Sequence, residues 1–371
     1  MRRHQVHADV LAGLTVGLMM VPQAMAYAQL AGMPPLNGLY AALLPCLVAA
    51  LFGWCHQMST GPVAMTSLLT AVVLAPLAEP GSAAWISLGA LLALLVGLVR
   101  LVAGFFRISN LATLISHPVM LGFTAGGGLV IGLSQLPELL GVPGPRSLSF
   151  LGDEWQVLGR IAEAKPATLL IGLGSLVAIL ALRRFKRLPS TLLVLVLATA
   201  LSWAIGYGAS GGHIVGMVPS GLPALAVPRW DWQTVGTLLP GAGLVALIGF
   251  LEVFAVAKAC AVKTRQDLRI DQELLAQGAA AVASSFTQGF PVSGSLSRSA
   301  VNLHAGAVTG FSSVVCAAQT FATAKTSRKP IRATSPAPGR SAPTFCQFHC
   351  GTTRDGRPEG TVPTIRPPTA P

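Results

Sequence analysis

The sequence predicts an all-α polytopic membrane protein with about ten spans, and three observations carry that expectation. Of its 371 residues, 52% are hydrophobic and only 10% charged, where an ordinary soluble domain carries roughly 25% charged residues. Apolar runs recur at 10–32, 36–53, 62–77, 84–104, 119–140, 166–182, 189–207, 237–257, 273–288 and 296–318. Most of them approach the roughly 20 residues that a helix needs to cross a bilayer. The loops between them also differ in charge. With Met1 in the cytoplasm, inside loops carry Arg2, Arg3, Arg107, the RRFKR cluster (183–187), Lys263, Arg265 and Arg269, whereas outside loops carry only Arg146, Arg160, Lys165 and Arg229. That asymmetry is the positive-inside pattern. The net charge of +12 therefore reads as topology, with a cytoplasmic N-terminus in the inner (plasma) membrane of the cell, and not as a nucleic-acid surface.

PQAMAYA (22–28) is expected to interrupt the first span. Pro22 removes a helical hydrogen bond and leaves a carbonyl free, and Gln23 and Tyr27, four apart, share one helical face. The third run opens with STGPVAMTSLL (59–69). Gly126, Gly127 and Gly128 in the fifth run are small residues of the kind that let membrane helices approach closely. The eighth run, GLVALIGFLEVFAVAKACA (243–261), holds Glu252, an acidic residue deep in a predicted span. A charged carboxylate there is costly and by default functional, and it suits a group that takes up and releases a coupling proton. The tenth run opens with GFPVSGSLSRSAVN (289–302), which sets Arg298 among four serines. Cys46, Cys260 and Cys316 lie singly in apolar runs, where cysteine behaves as a small hydrophobe. CQFHC (346–350) is a single cluster, too little for a zinc site, so no metal is expected. From about Thr326 the character changes. Residues 326–371 hold nine of the 27 prolines and cannot bury enough surface to offset their chain entropy. A disordered Pro/Arg-rich tail is expected, and its abruptness suggests a change of reading frame.

The third and tenth runs share one design. Each has Pro-Val shortly before hydroxyl residues and then a helical run, so each reads as an extended segment leading into a helix that starts inside the membrane. Irregular backbone at that depth is tolerated only where it is buried in protein or lines a cavity. A helix N-terminus presents unpaired N–H donors and about half a positive charge, so two of them facing one cavity form an anion site. Arg298 would strengthen it. The plainer reading of Arg298 is snorkelling or a structural pair with Glu252.

Together these stretches resemble the SulP family of anion permeases, over roughly residues 8–320. DVLAGLTVGLMMVPQAMAYAQLAGMPPLNGLYAALLP (9–45) resembles the family's first-span signature, and AKACA (257–261), DQELLAQG (271–278) and GFPVSGSLSRSAVNLHAGA (289–307) resemble its spans eight to ten. The resemblance implies a fold of seven plus seven spans in inverted repeat, broken half-helices at spans three and ten, and a core domain moving against a gate domain by an elevator-like alternating access. It divides the chain into a transmembrane permease domain at 1–325, with part of the gate, and the tail at 326–371. On that resemblance, spans eleven to fourteen and the STAS domain are expected to be absent. It places the substrate at Gln23, Tyr27, Val63, Ala64, Ser297, Arg298 and Ser299, and the coupling ion at Glu252. Here Val256 follows Glu252 by four residues and offers no oxygen to sodium, which favours a proton over Na+. The span-eight position that is commonly serine is Val253, and Asp271 and Ala281 replace family asparagines. The implied function is secondary active transport of sulfate or a related small anion (bicarbonate or a dicarboxylate), with no catalytic residue and no cofactor. The implied partners are the anion, the lipid bilayer and a second copy in a homodimer, and the truncated product is expected to have an incomplete gate.

Three other readings compete. A nucleobase permease of the same fold is disfavoured by SLSRSAVN with its arginine. A non-transporting remnant or scaffold would follow from the incomplete gate. An intramembrane serine hydrolase would use a serine of SGS (293–295) with His304 as base, and needs those atoms within about 3 Å beside an oxyanion hole.

Overall fold

The structure, a computed structural model, describes residues 3–107, 117–142, 156–157, 159–182, 184, 190–208, 223 and 225–326. RRFKR apart from Arg184, CQFHC and the tail beyond Thr326 lie outside the described residues. The regular elements are α1 (Arg3–Leu30), α2 (Pro35–Phe52), β1 (Ser59–Gly61), α3 (Ala64–Leu74), α4 (Ala83–Phe105), α5 (His117–Ser134), α6 (Leu136–Leu140) and α7 (Pro166–Leu182). There follow α8 (Ser190–Ala204), α9 (Trp232–Thr264), α10 (Ile270–Phe286), β2 (Ser293–Ser295), α11 (Leu296–His304) and α12 (Phe311–Thr326).

The apolar runs become helices because an apolar environment forces the backbone to satisfy its own hydrogen bonds. Among the described residues, four helices are long and apolar enough to cross a membrane: Gln5–Leu30, Pro35–Phe52, Ala83–Phe105 and Trp232–Thr264. Ala64–Leu74, Pro166–Leu182 and Leu193–Ala204 are apolar but shorter. Large apolar side chains point outward from several helices, among them Leu11, Leu14 and Leu18 on α1 and Leu170, Val177 and Leu180 on α7. An aqueous surface rarely tolerates so much exposed apolar area, and lipid accepts it. α1 runs unbroken through Pro22.

One expectation needs correction. The run 296–318 is two helices, α11 and α12, parted by a turn in which Gly306 adopts φ +91°. Asp9 of α1 enforces the break. Its buried carboxylate accepts from the N–H groups of Val308 (2.7 Å) and Thr309 (3.1 Å) and from the Thr309 hydroxyl (2.6 Å). An acceptor of this kind satisfies the orphan donors ahead of a new helix. The three glycines of α5 also differ from expectation. A side chain at Gly127 would meet Met65, but Gly126 and Gly128 face open space among the described residues.

The core lies where α2, α4, α9 and α10 pack together around buried Trp85, Leu91, Leu92, Leu238 and Phe290. α4 and α10 approach closely because Gly97 and Gly278 face one another, so that a methyl on Gly278 would lie 3.0 Å from the Gly97 carbonyl oxygen. Packing through small residues is the usual means of joining helices in lipid. A second cluster of Met20, Leu39, Cys46 and Cys316 joins α1, α2 and α12. Both clusters brace the ribbon formed by β1 and β2.

Candidate functional site

β1 and β2 pair antiparallel, with Ser59 opposite Ser295, Thr60 opposite Gly294 and Gly61 opposite Ser293. Antiparallel strands leave a ribbon from opposite ends, so α3 and α11 depart in opposite directions and each turns its N-terminus back toward the ribbon. The sequence dictates both departures. Pro62 holds the chain extended and disfavours a helical conformation before it, and Val63 remains extended at φ −136°, ψ 154°. Ser295, at φ −95°, ψ 121°, accepts from the Arg298 N–H at 3.4 Å and caps α11. No side chain caps α3.

Arg298 is fully buried. Its Nη1 donates to the Pro62 carbonyl at 2.9 Å and to Gln23 Oε1 at 3.5 Å, and its Nε donates to Ser59 Oγ at 3.3 Å. The guanidinium thus ties α1, β1 and the start of α3 to α11. Its Nη2 is buried without a hydrogen-bond partner. A methyl on Gly61 would lie 3.4 Å from that nitrogen, so glycine there keeps the backbone close to the guanidinium.

Most of the expected residues converge here. Gln23 contacts Arg298, and Tyr27 lies within electrostatic reach of Arg298 and Glu252. Val63 is buried and Ala64 half-buried at the start of α3. The three residues of α11 diverge in placement. Ser297 is exposed, with its hydroxyl 3.2 Å from that of Ser295. Ser299 is buried, and its hydroxyl accepts from the Ser59 N–H at 2.9 Å. Gln23 also lines an apolar cleft between α1, α7 and α8, with Pro22, Ser175 and Val194.

Glu252 lies half-buried on α9, with Oε2 buried and unpartnered. It does not form the structural pair with Arg298, because the Arg160–Glu163 contact is the only ion pair within 4.0 Å among the described residues. The neighbouring Ser293 hydroxyl donates to the Gly249 carbonyl at 3.1 Å. The hydrolase geometry is not present either. His304 Nδ1 sits 2.6 Å from the Ala300 carbonyl of its own helix, on an exposed face. Among the described residues, no group of three or more His, Cys, Asp or Glu side chains could hold a metal ion.

Sequence reasoning missed four buried polar residues around the ribbon. Arg100 of α4 is fully buried, and its Nη1 donates to the Val292 carbonyl at 2.7 Å, just ahead of β2. Gln277 of α10 donates to Thr60 Oγ1 at 2.7 Å and to Glu273 Oε1 at 3.0 Å. Glu273 Oε2 in turn accepts from the N–H groups of Trp54 and Cys55, each at 3.0 Å, at the approach to β1. Asn302 donates to the Gln57 carbonyl at 3.0 Å and to the Ser312 hydroxyl at 3.1 Å. The signal for Arg100 was present, since a charge inside an apolar run is the same flag that singled out Glu252.

A sequence model described as the sulfate permease family matches residues 6–329. The probable sulfate transporter 4.2 of Arabidopsis thaliana is 37% identical over 316 residues, covering 83% of this chain and 46% of that protein. A probable sulfate transporter of Mycobacterium tuberculosis is 38% identical over 301 residues, covering 81% of this chain and 54% of that protein. The chain therefore spans about half the length of these curated relatives. Among solved structures, the murine Solute Carrier 26 family member A9 anion transporter in its inward-facing state superposes with a TM-score of 0.79 at 25% identity, over 88% of this chain and 57% of that one. The transmembrane domain of a cyanobacterial bicarbonate transporter superposes with a TM-score of 0.77 over 88% of this chain and 84% of its own. At 22% identity that second likeness speaks to the fold alone.

Proposed function

The chain belongs to the sulfate permease family, a family of carriers and not of enzymes, and on that premise we propose that it carries sulfate or a related small anion through the membrane by secondary active transport. The observation that carries the proposal is the pair of short helices whose N-termini turn toward one ribbon, with the buried Arg298 joining them. Helix N-termini supply N–H donors and partial positive charge to an anion, and a guanidinium adds a full one. The anion lies between the start of α3 at Val63 and Ala64 and the start of α11 at Ser297 and Arg298. Gln23 and Tyr27 form the facing wall. Ser299 supports the site from behind, since its hydroxyl is committed to the Ser59 N–H. Arg298 and the hydroxyl donors favour an anion over a neutral nucleobase.

In this reading α3 and α11 are half-helices within the membrane, residues 1–325 form the permease domain, and the N-terminus is cytoplasmic in the inner membrane. Movement of the bundle that carries the ribbon against α5–α8 exposes the site alternately to the two sides. Glu252 binds the coupling proton, and two copies associate as a dimer. The unpartnered Glu252 oxygen, within electrostatic reach of two cationic side chains, supports a role for that carboxyl in coupling. Sulfate binding to the purified protein, followed by titration calorimetry at acid and neutral pH, tests this. Binding that strengthens toward acid pH in the parent and becomes independent of pH in Glu252→Gln is expected. Unchanged pH dependence in that variant would remove Glu252 from the coupling.

A further inference from the structure

Arg100 is the buried charge that the transport reading leaves without a task. Its guanidinium makes one hydrogen bond, from Nη1 to the Val292 carbonyl, while Nε and Nη2 are buried without partners. A helix in lipid normally sheds such a group, because an uncompensated charge there is expensive. Arg100 is instead accommodated. A methyl on Gly249 of α9 would collide with its Nη2, and the same point lies 3.5 Å from Thr66 Cγ2 in the first turn of α3. The guanidinium therefore lies beside the helix start that faces the anion.

The groups within electrostatic or hydrogen-bonding reach of Glu252 come from four elements: Arg100 on α4, Arg298 on α11, Ser293 on β2 and Tyr27 on α1. Cys46 of α2 and Cys316 of α12 also lie within electrostatic reach of Arg298. Arginine stays charged in proteins. With Glu252 ionised, two guanidiniums and one carboxylate leave the site with a single net positive charge. With a proton on Glu252 the net charge becomes twofold. Without Arg100 the same two states would be neutral and singly positive.

We propose that Arg100 is a specificity-determining residue, whose guanidinium supplies the extra charge that matches the protonated site to a divalent oxyanion. The inference rests on the proposed anion site between α3 and α11 and on proton binding at Glu252. One proton enters with one dianion, and the loaded site is electrically balanced. A monovalent anion reaches the same balance with Glu252 ionised and needs no proton. Gly249 belongs to the same device, since glycine there leaves room for the guanidinium.

The test uses the whole chain purified in lipid nanodiscs, with sulfate and nitrate as probes, titrated calorimetrically in two buffers of different ionisation enthalpy. The parent is expected to take up about one proton per sulfate and none per nitrate. Arg100→Gln should weaken sulfate about tenfold or more, the effect of one unit charge a few ångströms away at an intermediate dielectric, and weaken nitrate by only about threefold, because the same charge acts on half the ligand charge. Arg100→Lys, which keeps the charge, should restore most of the sulfate affinity. If Arg100→Gln fails to fold, Gly249→Ala displaces the guanidinium without removing it and should weaken sulfate selectively. Equal weakening of both anions, or no recovery with lysine, would make Arg100 a prop for the Val292 loop and overturn the inference while sparing the anion site. A parent that binds neither anion overturns both readings, and sulfate binding without proton uptake overturns the charge balance.

Discussion

α3 begins at Val63 with no side chain closing its first amides, whereas α11 begins at Ser295, whose hydroxyl accepts from the Arg298 N–H. The two helices leave one ribbon and both follow extended segments, yet their N-termini are equipped differently. α11 gives an amide to its own serine and offers a cation, while α3 holds its amides open. A helix start that lacks a cap costs about 1 kcal/mol relative to a capped one, so the bare start of α3 is a local loss of stability at a place where a ligand can offset it. The comparison assigns geometry to α3 and charge to α11.

The largest effect should follow from removing the charge. Arg298→Ala abandons bonds to Pro62, Ser59 and Gln23, and should cost about 3 kcal/mol of stability and weaken sulfate by about 1.5–3 kcal/mol. Thermal melts and titration calorimetry on the same sample read both quantities. Loss of stability with sulfate affinity intact would reduce Arg298 to a brace.

Making the two helix starts alike gives the next effect. Val63→Ser provides α3 with the kind of cap that α11 already has. Sulfate affinity should fall about fivefold because the new hydroxyl competes for the same amides, and stability should stay within about 1 kcal/mol of the parent. Unaltered affinity would mean that α3 does not hold the anion. The reverse change, Ser295→Ala, should lower stability by about 1 kcal/mol without weakening sulfate. A loss of affinity there would show that the Ser295 hydroxyl faces the ligand.

α9 supplies a third helix start as a reference, outside the membrane-spanning part. Its cap, Asp231, accepts from the Thr234 hydroxyl at 2.7 Å and the Thr234 N–H at 3.0 Å. Those bonds, the hydroxyl's first, hold the Asp231 carboxyl below the usual aspartate range. The folded protein then binds that proton less readily than the unfolded chain, so the cap stabilises above the ordinary aspartate range and is lost as pH falls through the lowered value. Titration of Asp231 by NMR should show this depression, and Thr234→Val should reduce it. Sulfate affinity should not respond to either change.

Much of this was legible in the sequence, for identifiable reasons. Pro62-Val63 and Pro291-Val292 announced two helix starts because proline has local backbone consequences. Glu252 stood out because a charge inside an apolar run is costly. The pairing of β1 with β2 was not legible, because its strands are three residues long and far apart in sequence. The brace from Arg298 to Pro62 and Ser59 is hidden for the same reason, as are the Gln277 contact with Thr60 and the hold of Asp9 on Val308 and Thr309. The break between α11 and α12 escaped because a lone glycine such as Gly306 does not by itself end a helical run, and the carboxylate that enforces the break belongs to the first helix. Arg100 escaped although it carried the same flag as Glu252.

The most direct measurement is the position of the anion itself. Selenate has the shape and charge of sulfate and a strong anomalous signal, so crystals grown with it locate the ligand without reference to any variant. The account predicts a selenium peak between the two helix starts, with oxygens in hydrogen-bonding reach of the first amides of α3 at Ala64 and of α11 at Ser297, and of the Arg298 guanidinium. A peak elsewhere, such as the polar cleft of Trp54, His56 and Asp267, with none between α3 and α11, would contradict it.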